Sequence, residues 1–245
     1  VQPLKKAPLR EAIFELFVDS NGITQWSPDS ETRVFSRLPD YAYHQEELQD
    51  FGLMFEVGPD GPIAKPFGPR GSIRRWDERK QRAIQFGPNM CAYNILGAAY
   101  SAFENHVDAV AEVIRCYLDE AKPTKVGWVG QRYVNSVSVP DVEVSEYFSI
   151  YPKLPGSLSG HRPFALQVQV AEARNATVVV NLGLEKADGG PDATYMLDIY
   201  ARSVNEAPND VDALKAWHVS THQAVRRAFE ITTSERLRAL FRGEP

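Results

Sequence analysis

Apolar positions recur along this chain with two periods, one near 3.6 residues and one of two, and the switches between them mark out its elements. The clearest stretch runs from about residue 102 to 121. There Phe103, Val107, Val110, Ile114, Tyr117 and Leu118 fall within one helical arc of about 100°, a single stripe to be buried. Ser101 and Glu104 stand at capping-box spacing at its start, while Lys122 and Pro123 suit its end. Upstream, residues 9–18 carry enough β-formers for an opening strand, with their charges leaving a helix open. A short helix is expected over 30–38, capped by Asp29 or Ser30 and stopped by Pro39, and a strand over 51–57. Glycines and prolines from Gly58 to Gly71 read as a loop, and Ser72–Trp76 and Gln81–Phe86 flank Asp77-Glu78-Arg79-Lys80 as a hairpin.

Period-two patterning dominates the second half. Residues 125–139, 144–150, 162–171, 176–184 and 193–202 all read as strands, with Asp188-Gly189-Gly190-Pro191 as a turn. In 162–170, Arg162, Phe164, Leu166, Val168 and Val170 share one face, and Ala165, Gln167 and Gln169 the other. Such alternation suits an antiparallel sheet wet on one side. Helices follow over about 210–230 and 234–242, the last behind a capping box at Thr232-Thr233-Ser234-Glu235. Strands then a helix, twice over, predict an α+β fold with antiparallel sheets packed against long helices. The order suggests one domain over 1–245 built from two similar halves, 1–122 and 123–245.

Composition adds little to this and subtracts several function classes. A domain of 245 residues buries roughly 70% or more of its unfolded surface, so it needs no staple. Cys91 and Cys116 lie in apolar-patterned segments and read as small hydrophobes. The start Val1-Gln2-Pro3-Leu4-Lys5-Lys6 lacks a secretory apolar region, and no stretch is long enough for a membrane span. The expectation is a cytoplasmic protein without membrane contact.

Several segments together resemble a known family. They are Ala7-Pro8-Leu9-Arg10-Glu11-Ala12-Ile13, Ile84-Gln85-Phe86-Gly87-Pro88-Asn89 with Asn94 and Tyr100, and Gly130-Gln131-Arg132-Tyr133-Val134-Asn135. Met196-Leu197-Asp198-Ile199, then His222, Phe229 and Ile231-Thr232, complete the series. In order and spacing they are similar to a sporadically distributed bacterial family of about this length that carries no functional name. Where that family often has Trp or a similar aromatic shortly after the tyrosine, Phe103 stands here. The resemblance implies a bacterial module of conserved length and implies no activity.

Charge is uneven. The net −5 contains a balance of +5 between Lys65 and Arg82 and of +3 between Arg226 and Arg242, leaving −13 elsewhere. Arg70, Arg74, Arg75, Arg79 and Arg82 around Trp76 are candidates to meet an anionic partner by phosphate pairing and base stacking. The ordinary origin of such runs is a solvated hairpin and helix face. A pI of about 5.6 does not favour nucleic acid.

Within 125–139, alternation sets Arg132 and Val134 on one face and Tyr133, Asn135 and Val137 on the other. Arg132 and Asp198 each interrupt an apolar run and are costly to bury alone. They are expected to pair across the sheet, or Arg132 to present its planar fork to an anion. His218 and His222 have the i, i+4 spacing that grips a metal, yet Val219 stands where a zincin has Glu. On the border of the apolar stripe they read as satisfied core or boundary histidines. Gly68-Pro69-Arg70-Gly71 lacks the lysine of a phosphate loop, no Gly-x-Ser-x-Gly elbow occurs, and Glu143 and Glu146 are surface charge. No cofactor, metal or catalytic residue is therefore expected. The leading expectation is a non-enzymatic module that binds a protein partner. By association with the sporadic family alone, that partner is expected to be encoded nearby in a bacterial accessory or defence cassette. The alternatives are a small-ligand binder or enzyme, its sheet–helix cavity lined by Arg132, Asn135 and His222, and nucleic-acid binding through the basic hairpin.

Overall fold

In a computed structural model, Leu9–Phe17 (β1) alternates as its sequence does. Ala12, Phe14 and Leu16 are buried on one side, and Glu11, Ile13 and Glu15 are half-buried on the other. The structure describes residues 7–18, 24–27, 29–50, 53–58, 61–66, 70–140, 144–151, 165–173, 176–187, 192–204 and 207–243. For 49–50, 53–58, 61–66, 70, 170–173 and 186–187 it describes the backbone alone. The strands after β1 are β2 (His44–Asp50), β3 (Leu53–Gly58), β4 (Gly61–Pro66), β5 (Arg70–Trp76), β6 (Arg82–Gly87) and β7 (Met90–Leu96). They continue with β8 (Trp128–Pro140), β9 (Ala165–Ala173), β10 (Ala176–Ala187) and β11 (Asp192–Ser203). The helices are α1 (Ser30–Ser36), α2 (Val107–Ala121), α3 (Val144–Tyr147), α4 (Val211–Thr232) and α5 (Glu235–Arg242).

Nine strands form one antiparallel sheet in the order β2-β5-β6-β7-β1-β8-β11-β10-β9, and β3 and β4 form a separate hairpin. The chain is thus α+β, with segments before and after residue 122 joined in a single sheet through the β1–β8 pair. All the helices that touch the sheet gather over the face that carries Phe14, Tyr93, Ile84, Leu197 and Val180. There α2 lies against β7, α4 crosses β8 to β11, and the two helices pack on each other. Ion pairs at the margins fix them: Arg33 of α1 and Arg37 just after it to Glu120 and Asp119 of α2, Lys215 of α4 to Asp108, and Arg236 of α5 to Glu146 of α3. Cys91 and Cys116 are free and buried in this core. Among the described residues no helix is long and apolar enough to cross a membrane.

One close approach ties the start of β1 to the turn after β7. A Cβ on Gly97 would stand 1.6 Å from the carbonyl oxygen of Leu9, so only glycine lets the two backbones touch there. This contact sets where the segment before β1 runs, and that segment walls the cavity described below.

Five sequence expectations are corrected. Residues 144–150 hold the short helix α3 and a turn rather than a strand, because Val144, Tyr147 and Phe148 are buried together at helical spacing. The Gly58–Gly71 loop contains β4 and the first residues of β5. Pro62 and Pro66 are accommodated because both strands of a two-stranded hairpin are edges. The helix expected from 102 begins at Val107 after a single 3₁₀ turn, and Ser101 accepts from Asn105 instead of capping it. Helix α1 stops at Ser36, and its Asp29 makes no capping bond. Helix α5 is capped by Ser234, which accepts from the Leu237 amide, while Thr232 bonds back to Ala228 within α4. The 188–191 turn, Arg162, Phe164 and Glu143 lie outside the described residues, as does the side chain of Val170.

Candidate functional site

Strand β8 turns polar groups inward where an apolar strand would not. Its helix-facing residues run Val129, Gln131, Tyr133, Asn135, Val137 and Val139, all buried. The alternation that sends Tyr133 and Asn135 inward sends Arg132 to the opposite face. A buried polar group needs a partner: Tyr133 finds its own on α4 and on the segment before α2, Asn135 on β11 and β8, and Gln131 Oε1 has none among the described residues.

The Tyr133 hydroxyl is the hub. Gln131 Nε2 donates to it at 2.7 Å, His222 Nδ1 lies 3.0 Å away, and the Tyr100 hydroxyl 3.2 Å away. Phe103 stacks on the His222 imidazole, with centroids 4.5 Å apart and planes 12° from parallel. Burial pushes the Tyr100 phenol up to about 12 and raises Tyr133 well above its ordinary value, so both remain proton carriers. Burial lowers His222 below the usual histidine value; the carboxylate of Glu104 acts upward and the guanidinium of Arg226 downward. The imidazole is therefore neutral at pH 7. Asn135 spends its amide hydrogens on the carbonyls of Leu197 and Tyr133, at 3.0 and 3.3 Å, leaving its Oδ1 as an acceptor.

These groups border a cavity of about 600 Å³ between sheet and helix. Ile199, Val225, Phe229 and Phe103 supply its apolar wall, and Ala7–Leu9 close one side. Charges collect at its rim: Arg226, Arg238 and Arg242 with Glu104 and Glu230. Arg238 is held by the Glu230 and Thr233 carbonyls and by Glu235, which also holds Arg242. Among the described residues Arg226 makes a single contact, at 3.5 Å to Glu230 one turn on.

Sequence reasoning expected a sheet–helix cavity lined by Arg132, Asn135 and His222 and named Tyr133 as a further ligand or ion-pair candidate; the structure brings Tyr133, Asn135 and His222 together. Arg132 is not part of it. On the far face, Arg132 pairs with Asp198, which also accepts from Asn181, itself bonded by Gln167, so a polar ladder crosses four strands. Beside it the carboxyl of Glu15 is raised by burial and takes a hydrogen bond from Tyr200 over Gly130, where a Cβ would come within 2.9 Å of both. Gln131, Tyr100, Phe103, Glu104 and Arg226 were not singled out as site residues. The signal for Gln131 was present: a glutamine two residues before Tyr133 shares its inward face.

His218 was expected to be satisfied and is not. It is fully buried, edge-on to Phe14 and Trp217, and neither ring nitrogen has a partner among the described residues. Its surroundings differ from those of His222, and among the described residues no three His, Cys, Asp or Glu side chains cluster as metal ligands.

The basic hairpin is dispersed by the same alternation that patterned it. Arg75 lies over Phe35 at 4.1 Å on the helix side, while Arg74 reaches Gln85 on the other side, near the ring of the half-buried Trp76. Arg82 is paired with Asp77 at 3.0 Å, Arg79 is exposed in the turn, and the Arg70 side chain lies outside the described residues. A second hollow of about 450 Å³ beside this turn is polar, and the Asp77–Arg82 pair is part of its wall. No protein-family model matches this chain, and no curated protein matches it significantly.

Proposed function

We propose that the chain binds a small molecule in the cavity between β8, β11 and α4. One observation carries this reading: a hollow of ligand size in which an apolar wall meets converging polar groups at Tyr133, Tyr100, Asn135 and His222. Binding sites are built this way, with few polar groups fixing orientation inside a mostly apolar surface. Native mass spectrometry of protein gently purified from its host tests it. A retained small molecule, lost in a Val225→Trp variant that fills the cavity, is the expected result. A stoichiometric protein partner with no small molecule would replace this reading with that of a protein-interaction module.

That second reading has its own support on the far face of the sheet. Phe17 and Trp128 stack there at 4.0 Å, both partly exposed, and Arg202 lies 4.8 Å over the Trp128 ring. Aromatic residues and arginine are the side chains most enriched at protein interfaces.

We also read the chain as two halves of common descent, 1–122 and 123–245. In support, β1 is followed by a short helix and the sheet strands β2, β5, β6 and β7, with the β3–β4 hairpin after β2, and β8 by a short helix and β9, β10 and β11; each series ends in a strand that returns to pair with its first and in a longer helix. A two-fold axis between the antiparallel β1 and β8 would relate the two series. The cavity breaks that symmetry, because the segment leading into α2 lies over the latter part of α4.

A further inference from the structure

We infer, resting on the binding reading above, that the ligand of this cavity is an organic acid, a carboxylate carried on an aromatic or aliphatic body. The argument starts from the direction of the hydrogen bonds at His222. Gln131 Nε2 donates to the Tyr133 oxygen, its Oε1 staying buried without a partner among the described residues, and with the Tyr100 hydroxyl also donating there the Tyr133 proton goes to His222 Nδ1. Gln131 Nε2 also faces Nδ1, at 3.4 Å, and can only donate. Nδ1 is thus the acceptor of the ring, and the neutral imidazole carries its proton on Nε2. Among the described residues no group takes that proton. The ring borders the cavity, so a ligand there meets a fixed donor in an apolar wall.

Arg226 lies one turn further along α4, on the same side as His222, with one loose contact to Glu230. Arg238 and Arg242 stand behind it, both paired with Glu235, and Glu104 and Glu230 share the rim, so the loosely held Arg226 is the cation open to a ligand. A donor that can donate to an acid, next to an arginine whose fork matches a carboxylate, selects an anionic oxygen pair. Phe103, Phe229, Ile199 and Val225 then receive an uncharged body.

Matched acids and amides test this directly: 2-naphthoate against 2-naphthamide and octanoate against octanamide, titrated calorimetrically into the full chain at pH 7.5. Each acid is expected to bind at least roughly tenfold more tightly than its amide, the worth of a hydrogen bond to a charged group. Arg226→Gln, at a half-exposed position, should cut that ratio several-fold, and His222→Phe should do the same. Equal binding of acid and amide overturns the acid assignment and leaves the binding reading standing. Tighter binding of 2-naphthylmethylamine overturns it in favour of Glu104. Failure of every probe also overturns it, and the native mass measurement then decides separately whether the cavity binds anything at all.

Discussion

Arg132 meets Asp198 side-on, its Nε 2.8 Å from Oδ1 and its second terminal nitrogen 3.0 Å from Oδ2, in neighbouring strands of the helix-free face. The aspartate side chain is 4% exposed and the arginine 41%. Arg132→Met would leave a desolvated carboxylate with Asn181 as its remaining partner. The expected loss is about 2–3 kcal/mol in chemical denaturation, below the range for a fully buried pair because water screens the arginine. The double variant Arg132→Met, Asp198→Leu should recover most of it. A loss under about 0.5 kcal/mol in the single variant would class the pair with ordinary surface bridges.

His218 makes stability depend on acid. Burial without a partner takes it down to about 3 in the folded state. The unfolded chain binds its proton near pH 6.5 and the folded chain does not. Stability from this group is therefore complete above pH 6.5 and is lost as pH falls towards 3, by up to about 5 kcal/mol. His218→Leu should flatten that acid limb. It should also raise stability at pH 7 by about 1 kcal/mol or more, since two unpaired nitrogens leave the core.

His222 should titrate according to its neighbours. Arg226→Gln removes a positive charge and is expected to raise its pKa; Glu104→Gln removes a negative one and is expected to lower it. Imidazole resonances followed by NMR across pH 4–8 give both signs. Shifts in the same direction would mean that the variants act through packing rather than charge.

Gly97→Ala should be among the most damaging small substitutions in the chain. Its new methyl would enter the Leu9 carbonyl, and backbone on both sides must move. A fall in melting temperature is expected, together with loss of ligand from the cavity, because Leu9 helps wall it. Ser101→Ala, four residues on, should leave the melting temperature unchanged, since Ser101 is exposed and accepts from Asn105.

What the sequence displayed depended on how many faces each element buries. β1, β8, β10 and β11 have one buried face and alternate visibly, and α4 shows its stripe over 22 residues. β7 is buried on both faces, so Met90-Cys91-Ala92-Tyr93 has no period to read. β2 is the opposite case: His44-Gln45-Glu46-Glu47 is an exposed sheet edge whose polar run carries no strand signal. The site divides the same way. Tyr133 and Asn135 announce themselves as polar residues on a core-facing strand. Glu104 and Arg226, far apart in sequence, share the cavity rim only because the segment before α2 is laid against α4.

β1 reaches the ribosomal exit long before either neighbour. Its partners β7 and β8 begin at Met90 and Trp128, so at ordinary synthesis rates the strand waits roughly 4 to 15 seconds for the first of them. Throughout that interval Ala12, Phe14 and Leu16 form an apolar ridge with an unpaired backbone on each side, open to any strand that comes near. The sheet's innermost strand is thus the one that waits longest in the growing chain for a strand to pair with.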